Sequence, residues 1–294
     1  MLPIAKLIAF IIGHLPLCLV RVLGKALGRI AFRFDKRHAK TALENMTLAY
    51  KGSLSEDAMT TIARGVFENL AITGLEFMRI PWLTKTGLNG YVEFKGIENL
   101  ERALERKKGA ILFTAHFGNW ELMAAAYGLS GFPIDIVVRE LDSPVAEAFT
   151  AWVRIASGNR LVEKNRSMRK LIKTLSVNGI AGILLDQNVA DVEGVFVDFF
   201  GTSACTNKGP ALLAQMTGAA MLPTFIVRHG KGHTIVVGEQ VELIDTGDKH
   251  ADAIENTARC TKIIEGQVRA HPEQWFWVHR RWKTRPSKAV NREP

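Results

Sequence analysis

The sequence predicts an α/β fold: a mixed central sheet flanked by helices, with an N-terminal helical membrane anchor. Two patterns support this prediction. From about residue 91, short apolar β-rich runs alternate with stretches of helical periodicity, the order typical of a sheet covered by helices on both faces. Residues 36–90 show helical spacing alone. The 294 residues suffice for a large core, so we expect a single domain over 36–294 behind an anchor and its basic flank at 1–35.

Each element is predicted from its local pattern. Ser55, followed by Glu56 and Asp57, has the composition of a helix start, and apolar residues recur at helical spacing from Ile62 to Met78. The predicted strands are 91–94, 110–114, 134–138, 180–185, 221–227 and 233–241, and the helices between or after them are 97–107, 120–129, 143–157, 166–177, 207–217 and 250–270.

The N-terminal segment is the candidate anchor. Residues 7–20 are apolar apart from His14, a bilayer span needs about 20 such residues, and His14 and Pro16 interrupt the run. Extension to 2–23 brings the segment near that length, and basic residues follow it at once. We therefore expect a helix that either spans the membrane or lies in its interface, with the rest of the chain on the cytoplasmic side.

Charge and cysteine usage exclude several classes of protein. The formal charge is +9, but residues 1–40 carry +7 and residues 268–294 carry +5, so the middle of the chain is slightly acidic. Basic ends beside apolar segments favour an anionic membrane over nucleic acid. The three distant cysteines indicate neither a disulfide framework nor a metal site, and no serine-hydrolase elbow or phosphate-binding loop is present.

Residues 110–121 form the most informative motif. A predicted strand delivers His116 to its end, Gly118 and Asn119 break the strand, and a helix starts at Trp120 and Glu121. On one continuous helix His116 and Glu121 would lie roughly 140° apart, but a turn at Gly118 lets the carboxylate approach the imidazole. This pattern predicts that His116 is a general base and that the Glu121 carboxylate contacts its imidazole. The alternative is a histidine whose hydrogen bonds only stabilise the turn.

Further polar residues follow other predicted strands. Arg139 follows 134–138, Asp186 and Gln187 follow 180–185, and Arg154 lies in the helix between those strands. Because sites in open α/β sheets gather at the carboxyl ends of strands, we expect one pocket, with Asp186 near Arg154 and the guanidinium available for an oxyanion or a phosphate. The alternatives are that Asp186 is only a cap or turn residue and that Arg154 is a solvated residue on its helix.

The tail at 271–283 interleaves three tryptophans with Arg280, Arg281 and Lys283. This composition suits a membrane interface or a stacking platform for single-stranded nucleic acid. The alternative is a last strand that packs its aromatic residues into the core.

Four motifs together resemble the bacterial late acyltransferases of lipid A biosynthesis, a branch of the lysophospholipid acyltransferase superfamily. They are Ala-His-Phe-Gly-Asn-Trp-Glu at 115–121, Leu-Leu-Asp-Gln at 184–187, Gly-Val-Phe-Val-Asp-Phe-Phe-Gly at 194–201, and the tail at 271–283. The resemblance implies an inner-membrane O-acyltransferase that faces the cytoplasm. It would move a fatty acyl chain from acyl carrier protein to a hydroxyl of a lipid A precursor, without a cofactor, a metal or nucleic acid.

The same resemblance assigns roles. His116 matches the catalytic histidine and Glu121 its carboxylate, where the wider superfamily usually has Asp; Arg154 and Asp186 match a further catalytic Arg and Asp. The residues expected to contact the substrates are Phe117, Gly118, Asn119, Arg139 and Gln187. The Glu-Gly-Thr-Arg motif of the glycerolipid branch is absent, which argues against glycerol 3-phosphate as acceptor.

Two other functions stay open at this point. One is an acyl-CoA-dependent transferase that acts on another glycolipid, of the phosphoinositide mannoside type. The other is a non-catalytic membrane protein that binds anionic lipid. The sequence leaves open the acyl-chain length, the acceptor hydroxyl, the donor, the depth of the anchor in the membrane and the oligomeric state.

Overall fold

A mostly parallel sheet organises the chain. The computed structural model describes residues 1–84, 86–164 and 167–286. Within them, seven strands form one sheet in the order β1-β9-β8-β2-β5-β3-β4, in which only the β8–β9 pair is antiparallel. The strands of this sheet are β1 (Val92–Lys95), β2 (Ala110–Thr114), β3 (Ile134–Val138), β4 (Arg160–Glu163), β5 (Ile180–Leu184), β8 (Ala220–His229) and β9 (Gly232–Val237).

A separate antiparallel hairpin and the helices complete the architecture. The hairpin pairs β6 (Gly194–Phe199) with β7 (Thr202–Asn207). The helices are α1 (Leu2–His14), α2 (Leu17–Phe34), α3 (Lys36–Tyr50), α4 (Glu56–Phe77), α5 (Ile97–Glu105), α6 (Trp120–Leu129), α7 (Pro144–Ile155), α8 (Ser167–Ser176), α9 (Gly209–Thr217) and α10 (Lys249–Ala270).

The predicted α/β class is confirmed, and each of the six predicted strands is present. Three strands escaped prediction. In β4 only Val162 is buried, because this strand lies at the sheet edge. In the hairpin, the Thr-Ser-Ala-Cys-Thr-Asn sequence of β7 has few of the large apolar residues that mark a strand.

The central strand β2 separates two apolar layers. Its side chains alternate, so that Ile111 and Phe113 pack into one core with the α3, α4, α9 and α10 side, whereas Leu112 faces the core beside α5 and α6. Both faces of β2 are buried throughout its length. A strand of this kind gives its carboxyl end a rigid support.

The N-terminal segment is not one helix. It breaks at Leu15 and Pro16 into α1 and α2, and α2 lies against α4. Gly24 and Gly28 allow this close approach, because a Cβ added at Gly28 would lie 2.5 Å from the Cα of Glu68. Among the described residues, no helix combines the length and apolarity that a bilayer crossing requires, so the predicted spanning anchor finds no support.

The tail is buried rather than interfacial. Trp275, Trp277 and Trp282 are 2%, 0% and 4% exposed. The predicted membrane-interface and nucleic-acid-stacking roles of these tryptophans are therefore wrong. They pack into the main core as the alternative expected, but they follow a short 3₁₀ helix, Pro272–Gln274, and lie in an isolated bridge and turns instead of a strand.

Candidate active site

The turn after β2 presents His116 at the carboxyl edge of the sheet. Gly118 adopts φ +59°, and a Cβ there would lie 1.9 Å from the carbonyl oxygen of Ile226, so a residue without a side chain is required. Asn119 then caps α6, because its side chain accepts a hydrogen bond from the Leu122 N–H at 3.0 Å. The predicted strand, turn and helix start are confirmed.

Asp186, rather than Glu121, holds the imidazole. The Oδ1 atom of Asp186 lies 2.8 Å from Nδ1 of His116, and Oδ2 accepts the His116 backbone N–H at 3.0 Å. The register of the sheet produces this contact: Thr114 of β2 is the partner of Leu184 of β5, so the residues that follow the two strands also lie side by side. An ionised carboxylate only accepts hydrogen bonds, so it fixes the proton on Nδ1 and leaves Nε2 as the acceptor.

The surroundings of Asp186 stabilise its ionised form. The carboxylate is 3% exposed and also accepts the Trp275 indole N–H at 2.8 Å. Burial by itself raises the pKa of Asp186, but the imidazole of His116 and the hydrogen bonds from His116 and Trp275 outweigh it and hold the pKa below its usual value. Asp186 is thus a buried anion held against the imidazole of His116.

Glu121 instead pairs with Arg154 of α7. Two parallel hydrogen bonds join them, Nε to Oε2 at 3.0 Å and Nη2 to Oε1 at 2.6 Å. The predicted pairs, Glu121 with His116 and Asp186 with Arg154, are therefore wrong, because helix α6 carries Glu121 toward α7 while the β2–β5 register places Asp186 beside His116.

His116, Glu121 and Arg154 nevertheless share one cavity of about 250 Å³. Arg139 also lines it and is itself exposed. The opposite part of the lining is apolar and comes from β2, β3, β5 and α6: Leu112, Met123, Ile134, Ile136, Gly182 and Leu184. The cavity thus combines an apolar lining with the polar side chains of His116, Glu121, Arg139 and Arg154.

Gln187 reaches the other nitrogen of the imidazole. Its side-chain amide nitrogen lies 3.5 Å from Nε2 of His116, the ring nitrogen that Asp186 does not contact. Trp120 and Phe276 border the ring, with centroids 5.2 and 5.7 Å from it. Consecutive residues 186 and 187 thus contact the two nitrogens of one ring.

Three residues expected to contact substrate have supporting places instead. Phe117 and Asn119 are 1% and 0% exposed and do not line the cavity. The Gly118 N–H donates to the Gln274 carbonyl at 2.8 Å, so this donor is already used within the protein. These residues hold the turn on which His116 lies.

A buried polar network, which the sequence analysis missed, holds the turn from the other side. Glu76 of α4 is 1% exposed and accepts the Asn119 side-chain amide at 2.8 Å. The same carboxylate pairs with Arg21 of α2 at 2.9 Å and Arg228 of β8 at 2.5 Å. The only sequence signal was a single acidic residue on the buried face of an amphipathic helix.

The four sequence motifs converge in space. Besides the Asp186–Trp275 bond, the Phe276 N–H donates to the His116 carbonyl at 3.0 Å. The hairpin contributes Phe199, whose ring centroid lies 5.4 Å from that of Trp275. The recurrence of these four motifs therefore has a physical basis, since all four build or support the His116 turn.

A model of the bacterial lipid A biosynthesis acyltransferases matches residues 4–284. This chain belongs to that family. Its members transfer acyl groups to oxygen, and the chain is accordingly an O-acyltransferase. The resemblance drawn from the motifs is confirmed.

Individual relatives cover nearly the whole chain. The lipid A biosynthesis lauroyltransferase of Escherichia coli (strain K12) is 28% identical over 291 residues, which are 97% of this chain and 92% of the relative. The palmitoleoyltransferase of the same organism is 27% identical over 276 residues, 93% and 88% of the two chains. Its myristoyltransferase is 25% identical over 270 residues, 88% and 79%. Because these three names differ in acyl chain, family membership alone does not determine chain length.

Proposed function

We propose that this acyltransferase moves a fatty acyl chain from acyl carrier protein onto a hydroxyl of a lipid A precursor, at the cytoplasmic face of the bacterial inner membrane. The observation that supports it best is the His116 imidazole, whose Nδ1 is bound to the buried Asp186 and which lines a cavity with many apolar residues. This is the geometry of a general base beside a place for an acyl chain.

The chemistry requires one proton shuttle and no covalent enzyme intermediate. Nε2 of His116 takes the proton of the acceptor hydroxyl while its oxygen bonds to the thioester carbonyl carbon. The carbon–sulfur bond then breaks, and the leaving thiolate takes the proton back from the imidazolium. Asp186 stabilises the imidazolium, and Arg154, which Glu121 holds and which lines the same cavity as His116, supplies the positive charge that stabilises the carbonyl oxygen as it becomes negative.

The two ends of the cavity suit the two substrates. The apolar interior around Leu112, Ile136 and Gly182 matches an acyl chain. Arg139 at the mouth suits the phosphate of an anionic acceptor, which guanidinium groups bind well. Assays must separate acyl carrier protein from coenzyme A as donor, since both present the same thioester.

We propose that the exposed faces of α1 and α2 contact the membrane. Ile4, Leu7 and Ile11 of α1 are 61%, 58% and 53% exposed and follow one another at helical spacing. Val22, Leu27, Ile30 and Phe34 continue an exposed apolar surface along α2, from 50% to 78% exposed. Contiguous apolar surface with basic neighbours suits an interfacial position, so the interfacial form of the predicted anchor is the one we propose.

The activity is tested with purified protein, a lipid A precursor with a free hydroxyl, and either acyl carrier protein or coenzyme A thioesters. Mass spectrometry reads the acyl mass gained by the lipid. We expect acyl transfer by the wild type and a loss of about 10²–10⁴-fold in His116→Ala, since a general base contributes about that much. The exposed His250→Ala is the matched control. Wild-type transfer by a folded His116→Ala would refute the mechanism.

The membrane contact is tested by flotation with vesicles that contain anionic lipid. The double variant Leu7→Asp, Ile11→Asp should lose binding, while the same two charges at the exposed Val177 and Val192 should leave it unchanged. Equal binding by both double variants would refute the proposed surface.

A further inference from the structure

Arg281 is a buried cation behind the His116–Asp186 pair. Its side chain is 0% exposed. The guanidinium donates to the Cys205 carbonyl at 2.8 Å, to the Thr206 hydroxyl, and weakly to the Gln187 carbonyl at 3.5 Å. All three acceptors are neutral oxygens, and within the described residues Nε has no partner. A buried cation without a bonded anion is costly, so its retention calls for a compensating interaction.

Asp186 supplies part of that interaction through space, and the guanidinium also lies over the ring of Phe199, 5.1 Å from its centroid. The carboxylate acts on Arg281 and favours its charged form. Burial lowers the pKa of Arg281 to about 10, which still leaves the side chain cationic at neutral pH. Arg281 also holds the carbonyl of Gln187, the residue whose amide lies beside Nε2 of His116. Arg281 thus interacts with both residues that contact the His116 imidazole, with Asp186 through its charge and with Gln187 through a weak hydrogen bond.

We propose that Arg281 is a positioning residue for acyl transfer: it holds the Asp186–Gln187 segment, and its buried charge opposes the protonation of His116, so the base stays neutral at lower pH. This rests on the proposed function, in which neutral His116 accepts the hydroxyl proton. Without the cation, the Asp186 anion would act on the imidazole unopposed and favour its protonated form.

The other charged groups around the pair do not replace Arg281. Glu121 and Arg154 line the cavity but neutralise each other in a bidentate pair. Burial lowers the pKa of His279 despite the nearby Asp186, so His279 is neutral at neutral pH. Arg139 lines the same cavity as His116 but is itself exposed, and Lys283 acts on His279 from the tail.

The test is the pH dependence of kcat/KM for acyl transfer. In Arg281→Met, which removes the charge at similar volume, the acid limb should move to higher pH by about one unit, the size typical of a neighbouring charge in a protein. Arg281→Lys keeps the charge and should restore the limb toward the wild type. Arg280→Met, at the exposed neighbouring position, should leave it in place. An Arg281→Met limb that coincides with the wild type, or an equal movement in Arg280→Met, overturns the proposal.

A second readout does not depend on activity. In protein with isotope-labelled histidine, the His116 ring signals, assigned by their absence in His116→Ala, are followed by NMR against pH. The midpoint should rise in Arg281→Gln, which retains a hydrogen-bond donor, and an unchanged midpoint overturns the proposal even where Arg281→Met fails to fold. Full activity of His116→Ala would instead refute the proposed function, so the two failures are distinguishable.

Discussion

Gly118→Ala tests whether the turn after β2 sets the position of His116. The added methyl group would start 1.9 Å from the Ile226 carbonyl oxygen, and real contacts of this kind need at least 3.0 Å, so the turn must move away from β8. The Gly118 N–H bond to Gln274 and the bonds from Asn69 and Thr73 to the Gly118 carbonyl, each 3.1 Å, oppose that movement.

The magnitude follows from two costs. An alanine in the left-handed region costs about 1–2 kcal/mol, and a clash in a packed site costs about 1–3 kcal/mol. We expect the free energy of unfolding to fall by about 2–5 kcal/mol and Tm by roughly 4–20 °C. A displacement of about 1 Å at a reacting group lowers rate by about 10²-fold, so kcat should fall by that factor in protein that is still folded.

The assay compares kcat at a temperature where circular dichroism shows each variant to be fully folded. Gly218→Ala is the matched control, because Gly218 has φ +69° and its added Cβ would meet only the Lys108 side chain at 4.0 Å. The control should lose about 1 kcal/mol of stability and keep its kcat. If Gly118→Ala kept wild-type kcat and lost no more stability than Gly218→Ala, the argument for a rigid turn would fail.

Three further predictions concern the charged groups. Asp186→Asn should lower kcat, measured by steady-state kinetics, by about 10²–10⁴-fold. The control is Asp135→Asn, which changes a buried carboxylate paired with Arg160 and should keep its activity. Equal kcat values for the two variants would contradict the role of Asp186. Arg154→Lys cannot form the bidentate pair with Glu121 and should lose about tenfold in kcat/KM, and an unchanged value would remove Arg154 from the mechanism. Burial raises the pKa of Glu76, but His233 and Arg228 outweigh it and hold the pKa far below the usual range. The ionised carboxylate therefore stabilises the folded protein above a pH of about 4, and this stabilisation is lost as the pH falls. In urea unfolding, the free energy of unfolding of Glu76→Gln should fall less with decreasing pH than that of the wild type.

Several features of the site can be predicted from the sequence because they depend on residues that are neighbours in the chain. The strand at 110–114, the glycine turn and the start of α6 follow from local alternation, turn chemistry and capping. The placement of Asp186 and Arg139 at strand ends follows equally from short apolar runs. These signals sufficed to predict a shared pocket at the carboxyl edge of the sheet.

Which carboxylate meets which partner is a different kind of question. Asp186 is 70 residues from His116 in the chain and reaches it only because β5 lies beside β2 in one register. Glu121 is five residues from His116, yet the direction of α6 takes its carboxylate to Arg154. Proximity in sequence favoured the wrong pair, because the order of strands in a sheet is decided by the whole core.

The sequence by itself determined the α/β class, the motif residues and the resemblance to lipid A acyltransferases, since these depend on periodicity and residue identity. Only the tertiary structure decided that the tail tryptophans are buried, that α2 lies on α4, and that Glu76 and Arg281 support the site. Each of these depends on contacts between residues that are distant in the chain, whose energy no local pattern encodes.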